Sequence, residues 1–136
     1  MRILYALICE EASSRADGRL DAGGVFHQLY APGFPAQQDS LVLALAIEWN
    51  EGETGRRHFR IDLVDPDRSP CLTVSGHTDV NPTPAGEAPP QTRLVLPVEN
   101  VVFPSAGTYL FELHLDDQTY PLTPLHIVEN SEAGAN

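Results

Sequence analysis

The sequence predicts an all-β chain, a single two-layer antiparallel sandwich of about eight strands, and three observations carry that expectation. Apolar residues recur with period two through most of the chain, as they do in strands whose side chains alternate between two faces. Clusters of Gly, Pro and Asp interrupt these runs at turn-like intervals, and no stretch carries a helical repeat. The closing segment from Phe103 to Val128 alternates on both sides of Asp116-Asp117, which is a β-hairpin in sequence form.

Taken in order, Ile3 to Cys9 is apolar on both faces, as in a strand covered on both sides or lying at a subunit contact. Ser13 to Gly18 is a polar turn. Leu20 to Tyr30 reads as one strand, interrupted at Gly23-Gly24 by a bulge or a close backbone approach. Ala31-Pro-Gly-Phe-Pro35 then crosses between sheets. Leu41, Leu43, Leu45, Ile47 and Trp49 alternate with Val42, Ala44, Ala46 and Glu48, setting large residues on one face and small ones on the other; this is the expected central strand.

After a turn at Glu51 to Gly55, Phe59, Ile61 and Leu63 face the core and His58, Arg60 and Asp62 face outward, so this strand is expected to form a hairpin with the preceding one. Asp65-Pro-Asp-Arg68 is a tight turn with Pro at its favoured second position. Cys71 to Val80 alternates around Gly76. Asn81 to Gln91 holds four prolines, lacks ladder donors and reads as a mobile loop. Arg93 to Val102 is the next strand. In the closing hairpin, Pro121 and Pro124 demote part of the last strand to an edge or a bulge. Residues 1–129 are expected to form the domain and 130–136 a flexible tail.

Within the hairpin, Gly107-Thr-Tyr-Leu-Phe111 resembles the tyrosine corner of an immunoglobulin-like sandwich, in which a Tyr stands two residues before a core position usually held by Cys. Phe111 takes that position here, and the Cys, Trp, Cys spacing of antibody domains is absent. The expected fold is therefore an immunoglobulin-like sandwich held by apolar contacts alone.

Composition narrows the function. A net charge of −11 and a pI near 4.6 repel phosphate backbones and anionic headgroups, which argues against nucleic-acid and membrane-surface binding. All eight basic residues are Arg, so chemistries that need a lysine amine are excluded: pyridoxal Schiff bases, the phosphate-binding lysine of a P-loop and Ser-x-x-Lys acyl transfer. Met1-Arg2 followed by an apolar run to Cys9 has the outline of a lipoprotein signal, but the run is short, Ile8 precedes the Cys and Glu10-Glu11 follow at once; a first strand is expected instead. No apolar run approaches a membrane span of about 20 residues. Cys9 and Cys71 have no metal or redox spacing and are expected to be buried thiols in a reducing cytoplasm, joined only if their strands are neighbours.

Several segments together resemble a family of small bacterial proteins known as domain of unknown function 6941. They are Tyr5 to Ala12, Gly18 to Phe26, Pro32 to Pro35, Leu43 to Glu48, Arg57 to Asp65 and Gly107 to Phe111. The resemblance implies a single cytosolic immunoglobulin-like domain with no assigned activity and no catalytic residue to carry over. One departure stands out: Arg68 closes the turn Asp65-Pro-Asp-Arg68, where the resemblance implies Asp-x-Asp-Gly.

Three polar groups and one apolar face are candidate sites. His58, Arg60 and Asp62 share an outward face within reach of Arg56 or Glu48, as an anion site or proton relay, or as an exposed ladder of opposite charges. His77 with Asp79, and His114 with Asp116, have a spacing that can ligate a divalent metal, although any alternating polar face produces it. Asp62, Asp65, Asp67, Asp116 and Asp117 raise a calcium site, against which stands the ordinary use of Asp in tight turns. Val42, Ala44 and Ala46, with the doubly apolar first strand, form either a protein contact or a face covered by a loop such as Ala31 to Asp39.

Together these point to a non-catalytic interaction or scaffold module that docks a protein partner or a second copy by a sheet edge or outer face. No catalytic residue, cofactor or metal is assigned. The alternative is a small metal-dependent enzyme or metal-binding domain built on the His and Asp residues above.

Overall fold

The computed structural model describes residues 1–130, so most of the expected C-terminal tail lies outside the described residues. These residues form ten strands and no helix: β1 (Arg2–Cys9), β2 (Glu11–Ser14), β3 (Leu20–Gly23), β4 (Gln28–Ala31), β5 (Ala36–Glu48), β6 (Gly55–Val64), β7 (Pro70–Val80), β8 (Gln91–Phe103), β9 (Gly107–Leu115) and β10 (Gln118–Glu129). One sheet has the order β1-β5-β8, a second the order β4-β10-β9-β6-β7, and β2 with β3 makes a small hairpin of its own. With no helix present, none is long and apolar enough to cross a membrane among the described residues.

Alternation builds the core. Leu41, Leu43, Leu45 and Ile47 of β5 face Ile61 and Leu63 of β6 and Tyr109, Phe111 and Leu113 of β9, and all are almost fully buried. Trp49 seals one end. Its indole N–H donates to Thr92 Oγ1 at 2.9 Å, and Thr92 in turn lies 3.0 Å from the Thr78 hydroxyl, so a buried polar chain links the two sheets. At the other end Phe103 meets Tyr109 edge-on, with ring centroids 5.1 Å apart.

The closing hairpin forms as the sequence implies. Asp116 and Asp117 both take positive φ, 50° and 63°, the geometry of a two-residue turn whose twist matches its strands. At the other end of β9, the Tyr109 hydroxyl donates to the Ser105 carbonyl at 2.8 Å. The register of β10 against β9 shifts between Pro121 and Thr123, where a bulge was expected. The second half of β10 is not an edge, however: β4 pairs with it in parallel from Gln28↔His126 to Ala31↔Glu129.

Other expectations are corrected. Ten strands replace about eight, because Leu20 to Tyr30 is two strands that serve different sheets and Glu11–Ser14, which includes the first two residues of the expected turn, is a strand paired with the first of them. Gly24, at φ 67°, ends the first of them, and the Glu10 N–H lies 3.1 Å from both the Gly23 and Gly24 carbonyls, so the close approach foreseen there is real. β5 and β6 do not form a hairpin. Both carry a full row of large core residues, and both rows are buried when the strands face each other across the core rather than lie side by side. The ladder partners of β5 are β1 and β8, so Glu48 pairs with Arg2 at 3.1 Å and not with the β6 row.

Candidate functional site

The densest polar chemistry lies on the outward face of the five-stranded sheet, where β9, β6 and β7 run side by side. Register sets Glu112 of β9 directly opposite Asp62 of β6, and Asp62 opposite Thr73 of β7. Both carboxylates are buried, at 6% and 4% exposure, although they are on the outer face. Two acids in that position repel each other and lose hydration, so the arrangement needs compensation.

Compensation comes from four neighbours. Thr73 Oγ1 donates to Asp62 Oδ1 at 2.8 Å, and Arg60 Nε lies 3.3 Å from Asp62 Oδ2. Arg68 swings back from the β6–β7 turn to pair with Glu112. His114, one register step along β9, sets its buried Nε2 3.1 Å from Asp62 and 4.0 Å from Glu112, off the line of a hydrogen bond. Its Nδ1 lies 3.0 Å from the Thr119 hydroxyl on β10. The result is a polar row, Thr119–His114–Asp62–Thr73, that spans four strands.

The turn that delivers Arg68 is set by its own chemistry. Asp65 Oδ1 accepts the N–H groups of Asp67 and Ser69, each at 2.9 Å, and Arg68 takes the left-handed φ of 68° usually left to glycine. Pro66 packs onto β9 so closely that a Cβ on Gly107 would lie 2.6 Å from its ring; glycine at φ 136° permits the contact. The departure at position 68 thus has a physical counterpart, since a glycine there would leave Glu112 without its cation.

The remaining polar candidates form separate pairs. His58 and His77 stand opposite each other with ring centroids 5.9 Å apart. Arg56 Nε donates to Asp79 at 3.1 Å, and this bond holds the Asp79 carboxyl below the usual carboxylate range. Arg57 Nη1 donates to Asp116 at 2.9 Å, so Asp116 is not the partner of His114. Structure therefore joins Arg60 and Asp62, keeps His77 and Asp79 on the adjacent strand, and adds Glu112, His114, Thr73, Thr119 and Arg68. Arg68 had one sequence signal, an arginine where glycine was expected, and Glu112 had one as the lone acid in an apolar run. Across the described residues, no three His, Cys, Asp or Glu side chains are grouped so that they could hold a metal ion.

Val42, Ala44 and Ala46 do fall on the outer face of the three-stranded sheet, but Ala44 and Ala46 are fully covered within the chain. Register flanks Ala44 with Leu7 and Val95, and Ala46 with Tyr5 and Arg93. β2 also touches β5 and β8, and the Arg93 guanidinium lies against Gly18 of the β2–β3 turn. A shallow depression of about 320 Å³, lined by Tyr30, Pro32, Pro35, Gln37 and Phe103 among others, lies away from the polar row.

Cys9 and Cys71 are free and belong to different sheets. Cys9 is buried as expected; Cys71 is exposed, because it is the unpaired residue of a bulge between Leu63↔Leu72 and Val64↔Pro70.

A family model described as "Family of unknown function (DUF6941)" matches residues 4–128. The chain belongs to this family. No curated protein matches it significantly. The DUF6941 match runs from β1 into β10, so both sheets, the β2–β3 hairpin and the polar row all lie inside the family's span.

Proposed function

We propose that this DUF6941 chain is a non-catalytic interaction module of immunoglobulin-like architecture that engages a protein, or a second copy of itself, by strand pairing at the β7 edge. The orders β1-β5-β8 and β10-β9-β6-β7 correspond to A-B-E and G-F-C-C′ of that fold class, with the tyrosine corner in the F position. The observation that carries the functional reading is how differently the sheet edges are guarded. β4 has only four residues. β1 has a register shift between Ile3 and Tyr5, and the Ile8 carbonyl already accepts the Phe26 N–H at 2.9 Å. β8 is interrupted by Pro97 and by Asn100 at φ 54°. β7 has no Pro from Leu72 to Val80, keeps unbroken register with β6 there, and meets β8 at Thr78, whose hydroxyl lies 3.0 Å from that of Thr92. An edge without such guards is a template for another strand.

The polar row supports the same reading, since its carboxylates are engaged by neighbouring side chains. A cytoplasmic setting and the avoidance of nucleic acid and membranes belong to this reading too, in line with the charge of −11. The test is binding of partners recovered from the native host and then purified. Ser75→Lys, on the exposed side of β7, should abolish binding, and Val95→Arg, on the outer face of the other sheet, should not. If both variants bind as the parent does, edge pairing is wrong. Ala44→Arg is no substitute, because it would bury a charge.

A second reading, an acid–base site at Asp62, Glu112 and His114, rests on the buried Nε2 between two carboxylates. A hydrolytic activity of the untagged protein, lost on Asp62→Asn, would put this reading in place of the first.

A further inference from the structure

We infer that the strand added to β7 is β7 of a second copy, antiparallel about a two-fold axis at Ser75, so that two five-stranded sheets become one continuous sheet. This rests on the edge-pairing reading above and supplies its partner.

Three features of the edge are self-complementary. The first is shape. Pairing about Ser75 sets Val74 opposite Gly76 of the second copy and Gly76 opposite its Val74. Gly76 has no side chain, and the Phe59 ring fills its place so closely that a Cβ there would lie 2.9 Å from Cζ. Val74 of each copy thus meets the Phe59 ring that covers Gly76 of the other, twice across the axis, as cross-strand packing favours. Leu72 and Val74, half-buried at the rim of the core, gain cover on their open side.

The second is charge. On the outward face of β6 and β7, Arg56 and Arg60 offset Asp79 and Asp62, while the whole chain carries −11. The face that pairs is thus locally balanced, and the pairing sets Thr73 opposite His77 and Ser75 opposite Ser75. No like charges meet. The third is parity: residues that oppose each other about Ser75 already point to the same side, so the core face of one sheet continues into that of the next.

The edge that pairs, Thr73 to His77, is short, and pairing along it buries less than the roughly 1,200 Å² of stable complexes. The dimer is therefore concentration-dependent and in fast exchange. In sedimentation equilibrium, the untagged protein should move from 14.8 kDa toward twice that mass, with a midpoint on the order of 10–100 μM. Ser75→Lys sets two like charges face to face on the axis and should raise that midpoint by about tenfold or more. Ser75→Cys in a Cys71→Ser background, mildly oxidised, should form a symmetric disulfide dimer through the introduced thiols.

A single 14.8 kDa species up to about 1 mM overturns the inference, and so does a dimer that keeps its midpoint in folded Ser75→Lys. If that variant does not fold, the oxidised Ser75→Cys protein decides: cross-linked dimer supports the two-fold, and its absence refutes it. The two readings fail separately. A monomer that still loses a purified partner on Ser75→Lys removes only the self-pairing, whereas a hydrolytic activity lost on Asp62→Asn removes the non-catalytic reading and leaves the dimer intact.

Discussion

The guanidinium of Arg68, carried on the turn after β6, pairs with the carboxylate of Glu112 on β9, and that carboxylate is almost entirely out of contact with water. Arg68 holds its backbone at a left-handed φ of 68°, which costs a non-glycine residue about 1 kcal/mol. The turn is thus locally unfavourable and globally useful. Arg68→Gly relieves the backbone but leaves a buried anion beside Asp62, and the second effect is larger. A net loss of about 1–2 kcal/mol is expected, moderated because the arginine end of the pair is solvent-facing. Urea denaturation should show this loss, and Glu112→Gln in the glycine background should restore most of it. A glycine variant as stable as the parent would mean that the pair contributes nothing.

Tyr109 is completely buried, yet it carries a hydroxyl that both donates to the Ser105 carbonyl and accepts its N–H, at 2.8 and 3.3 Å. Tyr109→Phe keeps the ring against Phe103 and removes only those bonds. Destabilisation of about 1–2 kcal/mol is expected, since the Ser105 groups then lose their partner. Thermal unfolding at fixed protein concentration checks this, and an unchanged midpoint would show that water replaces the phenol without cost.

Asp79 titrates below the ordinary carboxylate range because Arg56 donates to its side chain. A depressed folded-state value means that the linked stability is fully present above the unfolded Asp value of about 3.9. It is lost as pH falls from there through the folded-state value. Arg56→Gln should bring the Asp79 carboxyl back toward the ordinary value in an NMR titration and flatten that acid-side slope. No change in the titration would dissociate the shift from Arg56.

The two thiols should behave differently. Cys9 is fully buried, and its Sγ lies 3.7 Å from the Val42 carbonyl. Cys71 is on the surface, but its Sγ turns back to lie 3.3 Å from the Leu63 carbonyl, and burial of that thiol, with the nearby Asp65 charge, pushes its pKa up. Intact-mass analysis after alkylation of native protein should show one modification, at Cys71, with a rate still rising above pH of about 8.5, where a free thiol would level off. Labelling of both residues in folded protein would contradict the burial of Cys9.

How much of this was legible from the amino acids depends on range. The Asp116-Asp117 turn, the Tyr109 corner and the inward rows of β5, β6 and β9 are set by alternation and local turn chemistry, and all are visible in the chain. Which strands become neighbours is not a local property. Nothing near Glu48 says that its ladder partner is Gln91 rather than a residue just beyond the next turn. The same limit hid the polar row: Asp62 belonged visibly to an outward face, but Glu112, His114 and Thr119 reach it only through the registers of β9 and β10. Ala44 and Ala46 were placed on the correct face, but the strands that flank them, β1 and β8, are set by register and not by anything near them in sequence.

The pairing of β5 with β8 also shapes how this chain must come into being. Leu41 to Ile47 is an uncharged, β-prone stretch that finds β1 waiting when it emerges from the ribosome, yet its other flank stays unpaired until Gln91 to Phe103 has been synthesised. The hairpins β6–β7 and β9–β10 close over short loops, whereas this ladder must close a long one, and long loops close late. The nascent protein therefore passes through an interval in which its most apolar strand has one naked side. That interval, rather than the finished fold, is where aggregation and chaperone dependence are concentrated.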